Sequence, residues 1–90
     1  MIDLKQLRHV LTLAEHRNYS RAATALSLSQ PALTRSIQSL ERTMGVRLFD
    51  RNRSGVWLTP MGARLVELGE PLLRQAARVE NDLNLIAGLA

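Results

Sequence analysis

The sequence predicts a mainly α fold: three short helices, a two-stranded hairpin and one long C-terminal helix. Three observations carry that expectation. Apolar residues recur at spacings of three and four through most of the chain, the rhythm of helices with one buried face. Just after Gly45 the period drops to two, the rhythm of a strand. Cysteine is absent from the 90 residues, so the fold has no disulfide staple and rests on packing alone.

From Asp3 to His16, Leu4, Leu7, Val10, Leu11 and Ala14 form one apolar stripe, and Asp3 is placed to cap the first turn. Asn18-Tyr19-Ser20 interrupts this helix. Ser20 then caps a second, short helix whose Ala22, Ala23 and Leu26 are small or apolar enough for close packing. Ser27-Leu28-Ser29 is a brief turn. A third helix opens with Pro31 in its first turn, where a missing N–H costs nothing, and runs to about Met44, ended by Gly45. Alternation through Val46–Arg51 and again through Val56-Trp57-Leu58, with turn residues at Asn52–Gly55, reads as a two-stranded hairpin. Thr59-Pro60 is a hydroxyl cap followed by a proline with preset φ, and the pattern after it stays helical to about Gly88. A helix of that length, roughly 43 Å at 1.5 Å per residue, outruns a domain this small.

Charge placement narrows the partner. The chain carries a net charge of +4, and eleven of its twelve cations are arginines. Between positions 17 and 64 eight arginines face only Glu41 and Asp50, while the two flanks together are net negative. Arginine suits bidentate contact with phosphates and guanine edges, so a polyanion is the first partner to consider. No apolar stretch long enough for a membrane span occurs, and the N-terminus lacks a signal-peptide pattern.

Wound at 100° per residue, the third helix places Leu33, Ile37, Leu40 and Met44 in a stripe that should face the core. The opposite stripe holds Pro31, Thr34, Arg35, Gln38 and Arg42. In a major groove the N-terminal turns of such a helix read base edges, Arg matching guanine and Gln matching adenine. Gln30, Thr34 and Arg35 are placed for that, with Gln38 and Arg42 nearer the DNA backbone. Arg51 and Arg53 near the hairpin tip suit a minor groove, whose negative potential attracts arginine; an ordinary solvated tip is the other reading. In the last helix Leu65, Leu68, Leu72, Ala76, Val79, Leu83 and Ile86 form a continuous seam suited to self-association, the alternative being cover for the domain's own core. Gly69 and Pro71 interrupt this helix, and the proline predicts a kink. Trp57 should point away from Val56 and Leu58. His9 and His16 share a helix face, but a lone pair without cysteine or clustered carboxylates makes a poor metal site. No metal site, cofactor site or catalytic constellation is visible.

The sequence resembles the N-terminal domain of LysR-type transcriptional regulators. The resemblance lies in Leu7-Arg8, Ala14-Glu15, Ser20-Arg21-Ala22-Ala23, the run Leu28–Arg35, Ile37–Glu41, Gly45–Arg51 and Leu58–Gly62. It implies a winged helix-turn-helix followed by a linker helix that pairs with the same helix of a second subunit and leads into an effector-binding domain. Carried over by position, Gln30, Pro31, Thr34 and Arg35 resemble the family's major-groove contacts, with Ser29 just ahead of them. Ser20, Arg21 and Gln38 resemble its backbone contacts, and the wing arginines its minor-groove contact. Two departures stand out: Arg51 and Arg53 are closer together than the family's usual spacing, and Ala63 replaces a common Glu.

The expected organisation is therefore a DNA-binding domain over 1–59 and a dimerisation linker helix over 60–90, the effector domain being absent. The expected partner is double-stranded DNA carrying an inverted repeat, bound by a homodimer in the bacterial cytoplasm at the nucleoid, with a higher oligomer available to the full-length parent. Two alternatives stay open: a winged-helix repressor without an effector domain, and a helical protein-protein adaptor with a basic face.

Overall fold

The structure is a computed structural model that describes residues 1–89; Ala90, the last residue of the expected linker segment, lies outside the described residues. Its elements run α1 (Leu4–His16), α2 (Tyr19–Ala25), α3 (Gln30–Met44), β1 (Phe49–Asn52), β2 (Gly55–Leu58) and α4 (Pro60–Leu89). Three helices and a two-stranded antiparallel wing make a winged helix-turn-helix. The core is one cluster in which Val10, Leu13, Ala22, Leu33, Ile37, Leu40 and Leu48 are essentially sealed from solvent. α1 is its hub, touching α2, α3, α4 and β2.

Helix ends follow the local chemistry. The Asp3 carboxylate accepts from the Lys5 N–H at 2.8 Å, and Ser29 Oγ accepts from the Ala32 N–H at 3.2 Å at the start of α3. Gly45 closes α3 in the left-handed region, φ +68°, with its N–H returning to the Glu41 carbonyl. The second cap differs from expectation. Asn18, not Ser20, caps α2: its extended backbone directs the side-chain oxygen to the Arg21 N–H at 2.8 Å. Ser20 lies one residue inside the helix. Asn and Ser cap almost equally well, so two candidates two residues apart leave the choice to how the chain leaves α1.

The hairpin is shorter than the alternation suggested. Val46, Arg47 and Leu48 are extended but unpaired with β2, and the ladder runs only from Phe49↔Leu58 to Asn52↔Gly55, leaving Arg53-Ser54 as a two-residue turn. Leu48 instead uses its backbone to join distant parts. Its N–H donates to the Glu41 carboxylate at 2.7 Å, and its carbonyl accepts from the Thr59 N–H at 3.0 Å. Met44, expected in the buried stripe of α3, is 44% exposed, because α3 overhangs the core in its last turn. Trp57 points outward as expected, while Val56 is buried.

α4 is assigned as one helix through Pro71. Its first half belongs physically to the winged domain. Leu65 and Val66 pack on the core cluster, and Gly62 and Gly69 are buried where a side chain has no room. A Cβ at Gly69 would stand 2.6 Å from Leu7 Cδ1, so Gly69 lets α4 lie close against α1. The second half projects away, which gives the molecule extents of 52 × 24 × 19 Å. Among the described residues, no helix is long and apolar enough to cross a membrane.

Candidate nucleic-acid interface

The core stripe of α3 locks the helix so that its opposite face looks outward. Gln30, Pro31, Arg35, Gln38 and Arg42 are exposed and Thr34 is half-buried. Ser20, Arg21 and Ser29 are exposed beside them, on α2 and in the turn that leads into α3. One face thus gathers every helix-turn-helix residue that the sequence nominated. Among the described residues the salt bridges are Arg47–Asp50, Arg64–Glu67 and Arg74–Glu70, so Arg21, Arg35, Arg42 and Arg53 carry unneutralised charge.

The two acids of the basic middle region are consumed internally. Glu41 caps the Leu48 and Phe49 N–H groups at 2.7 and 3.4 Å, tying α3 to the base of the wing, and Asp50 sits 3.3 Å from Arg47. Neither stands on the outer stripe of α3, so the nominated face stays positive. Glu41 did not figure among the nominated residues; its isolation in an otherwise basic stretch was the available signal.

The wing arginines separate. Arg53 occupies the two-residue turn at the tip, where the Asn52 side chain accepts from the Ser54 N–H at 2.7 Å. Arg51 turns back, its guanidinium lying 5.2 Å from the centroid of the Tyr19 ring. Tyr19 was read only as a break between helices, and nothing local marks it as Arg51's partner. Burial pushes the Tyr19 phenol above its usual value, and Arg51 beside it offsets part of that rise.

Behind α3, His9 is buried, with Nδ1 2.6 Å from Ser36 Oγ, and the Gln6 side chain donates to the Ser36 carbonyl. Burial lowers the His9 pKa from its ordinary value, and the neighbouring Lys5 lowers it further. His9 therefore braces α1 against α3. Among the described residues no group of three or more His, Cys, Asp or Glu is placed to hold a metal.

The sequence profile described as "Bacterial regulatory helix-turn-helix protein, lysR family" matches residues 4–63. The chain belongs to the LysR family. This LysR-family chain is 53% identical over 73 residues to the SDS degradation transcriptional activation protein of a Pseudomonas species, covering 81% of the chain and 24% of that protein. It spans about a quarter of the length of the curated relatives it matches. Its fold superposes on the BenM DNA-binding domain crystallised with catB site 1 DNA, with a TM-score of 0.89 and 30% identity, covering 96% of each chain. It also superposes on Vibrio fischeri DarR in complex with DNA, with a TM-score of 0.88 and 31% identity, covering all of this chain and 31% of that one. The LysR-family chain is thus a winged helix-turn-helix DNA-binding domain of the kind carried by transcriptional regulators.

The α4 seam divides in the LysR-family fold. Leu65 packs on the domain's own core and Ala76 is half-buried beside α1. Leu68, Leu72, Val79, Leu83 and Ile86 are between 44% and 65% exposed, and Leu85 adds a further exposed side chain at 67%.

Proposed function

We propose that this chain is the DNA-reading module of a bacterial transcription regulator and binds double-stranded DNA as a homodimer in the cytoplasm. The outer face of α3 carries the reading: compact, amide and guanidinium side chains with no internal charge partner, held outward by a fully buried opposite stripe. α3 enters the major groove, where Gln30, Pro31, Thr34 and Arg35 meet base edges. Ser20, Arg21, Ser29, Gln38 and Arg42 lie along the phosphates on either side. Arg53 at the wing tip reaches the minor groove, which rewards inserted arginine by its potential and width. The exposed apolar side chains of α4 pair with those of a second copy, so the preferred site is an inverted repeat with half-sites about one turn, or a small multiple of ~10 bp, apart. In such a regulator an effector-binding domain supplies the signal.

The deciding experiment is selection from a pool of random duplexes with the 90-residue chain. Recovery of one enriched sequence family with twofold symmetry supports the reading. Affinity without sequence preference overturns it in favour of a basic adaptor surface.

A further inference from the structure

We propose that Arg51 is a backbone-phosphate ligand, positioned by the Tyr19 ring, so that the two wing arginines do different work. The inference rests on the DNA-binding reading above and assigns one contact within it.

The register of the wing is the first argument. Arg51 pairs directly with Val56, and Phe49 with Leu58, so all four side chains share one face of the hairpin. Phe49 and Val56 are buried, which makes that face the inner one, turned toward the helices. Arg51 therefore leaves the wing on the side opposite Trp57, toward α2 and away from the tip. Arg53, in the turn itself, is free of this constraint.

The second argument is what Arg51 meets there. Its guanidinium lies 5.2 Å from the centroid of the half-buried Tyr19 ring, within cation–π range. A guanidinium held over an aromatic face keeps its in-plane N–H groups free, and those match two phosphate oxygens side by side. Holding it there in advance also removes rotamer freedom that binding would otherwise have to quench.

The third argument is the surroundings. Arg51 and Tyr19 line a shallow concavity together with Arg17, Ser20 and Gln30, and no carboxylate lines it. Two arginines and a hydroxyl converge on a space for one anion. Gln30 is also the first residue of the helix assigned to the major groove. A phosphate seated here belongs to the DNA strand beside the entry of α3, and the concavity sets how that helix is aimed. The ligand is a phosphodiester of the duplex rather than a base edge.

The test uses the full 90-residue chain with two probes: a duplex enriched by the wild-type protein from a random pool, and a random-sequence duplex of equal length. Arg51→Gln should weaken both by the same factor, leaving the preference between them unchanged. The slope of log K against log salt should flatten by about 0.9, the loss of one neutralised phosphate, so the wild-type advantage shrinks about 3.5-fold between 50 and 200 mM salt. Methylphosphonate substitution, scanned along the duplex, should reveal one position that weakens wild type and has no further effect on Arg51→Gln. Tyr19 is tested as a positioning residue. Tyr19→Phe keeps the platform and should bind within about twofold of wild type. Tyr19→Leu should weaken binding, and Tyr19→Leu combined with Arg51→Gln should be no weaker than Arg51→Gln alone. An unchanged salt slope in Arg51→Gln, a changed sequence preference, or additive losses in the double variant overturns the assignment. If wild type enriches no duplex at all, the DNA-binding reading has failed rather than this contact.

Discussion

Replacing Gly62 by alanine tests the joint between wing and long helix. In a free helix the change is favourable by about 1 kcal/mol, because alanine loses less backbone entropy than glycine. Here the added methyl would stand 2.0 Å from the Leu48 carbonyl oxygen and 2.9 Å from Leu58 Cδ2, where ordinary contact begins at 3.4 Å. The obstructing atom is backbone and cannot rotate away, so α4 and the base of the wing must part by over ~1 Å. Two hydrogen bonds cross that joint: the Thr59 N–H donates to the Leu48 carbonyl at 3.0 Å, and Thr59 Oγ1 donates to the Arg47 carbonyl at 2.6 Å. Overpacking costs about 2 kcal/mol, and the two hydrogen bonds add about 1 kcal/mol each. After the helix gain the net loss is about 3 kcal/mol, equivalent to a melting temperature lower by roughly 12 °C or more in a domain this size. A thermal melt followed by circular dichroism measures it. Gly69→Ala, whose obstruction is the Leu7 side chain, should lose less. A Gly62→Ala protein that melts at or above wild type, or a larger loss at Gly69, would refute the close-approach argument.

Arg35→Ala should cost roughly 1 to 3 kcal/mol of specific binding and relax preference at one base position, read by titrating enriched and scrambled duplexes, while the fold is untouched. Arg53→Ala should lower affinity and reduce the preference for A·T-rich flanks while leaving discrimination at the major-groove positions intact, measured with duplex variants. Leu72→Asp together with Leu83→Asp places charge in the exposed α4 seam and should make the chain monomeric in sedimentation; a wild-type chain that is itself monomeric both free and on DNA would refute the dimer. His9 has a lowered pKa in the fold, so the unfolded chain binds its proton more readily. Stability from this group is fully present above about pH 6.5 and is lost as pH falls below it, so the urea midpoint should drop there in wild type and drop less in His9→Gln.

What the sequence by itself determined is whatever lives in short-range periodicity. The stripe of Leu33, Ile37 and Leu40 defined which side of α3 looks outward, and hence the nominated face, because a helix repeats every 3.6 residues wherever it is placed. Thr59-Pro60 marked the start of α4 for the same local reason, and Thr59 Oγ1 does accept from the Gly62 N–H at 3.1 Å. Tertiary structure decided everything that needs two distant segments to meet. Glu41 reaches the N–H groups of Leu48 and Phe49, Arg51 folds back on Tyr19, and Gly62 and Gly69 give room to Leu48 and Leu7. The α4 seam shows the division within one helix: its spacing is continuous from Leu65 to Ile86, yet Leu65 is taken by the core while Leu68 to Ile86 remain largely exposed. Apolar spacing states that a face must be buried but not against what, because burial is non-directional and depends only on which surface arrives first. Only the packing of α1 on α4 settles where the domain ends and the unpartnered surface begins.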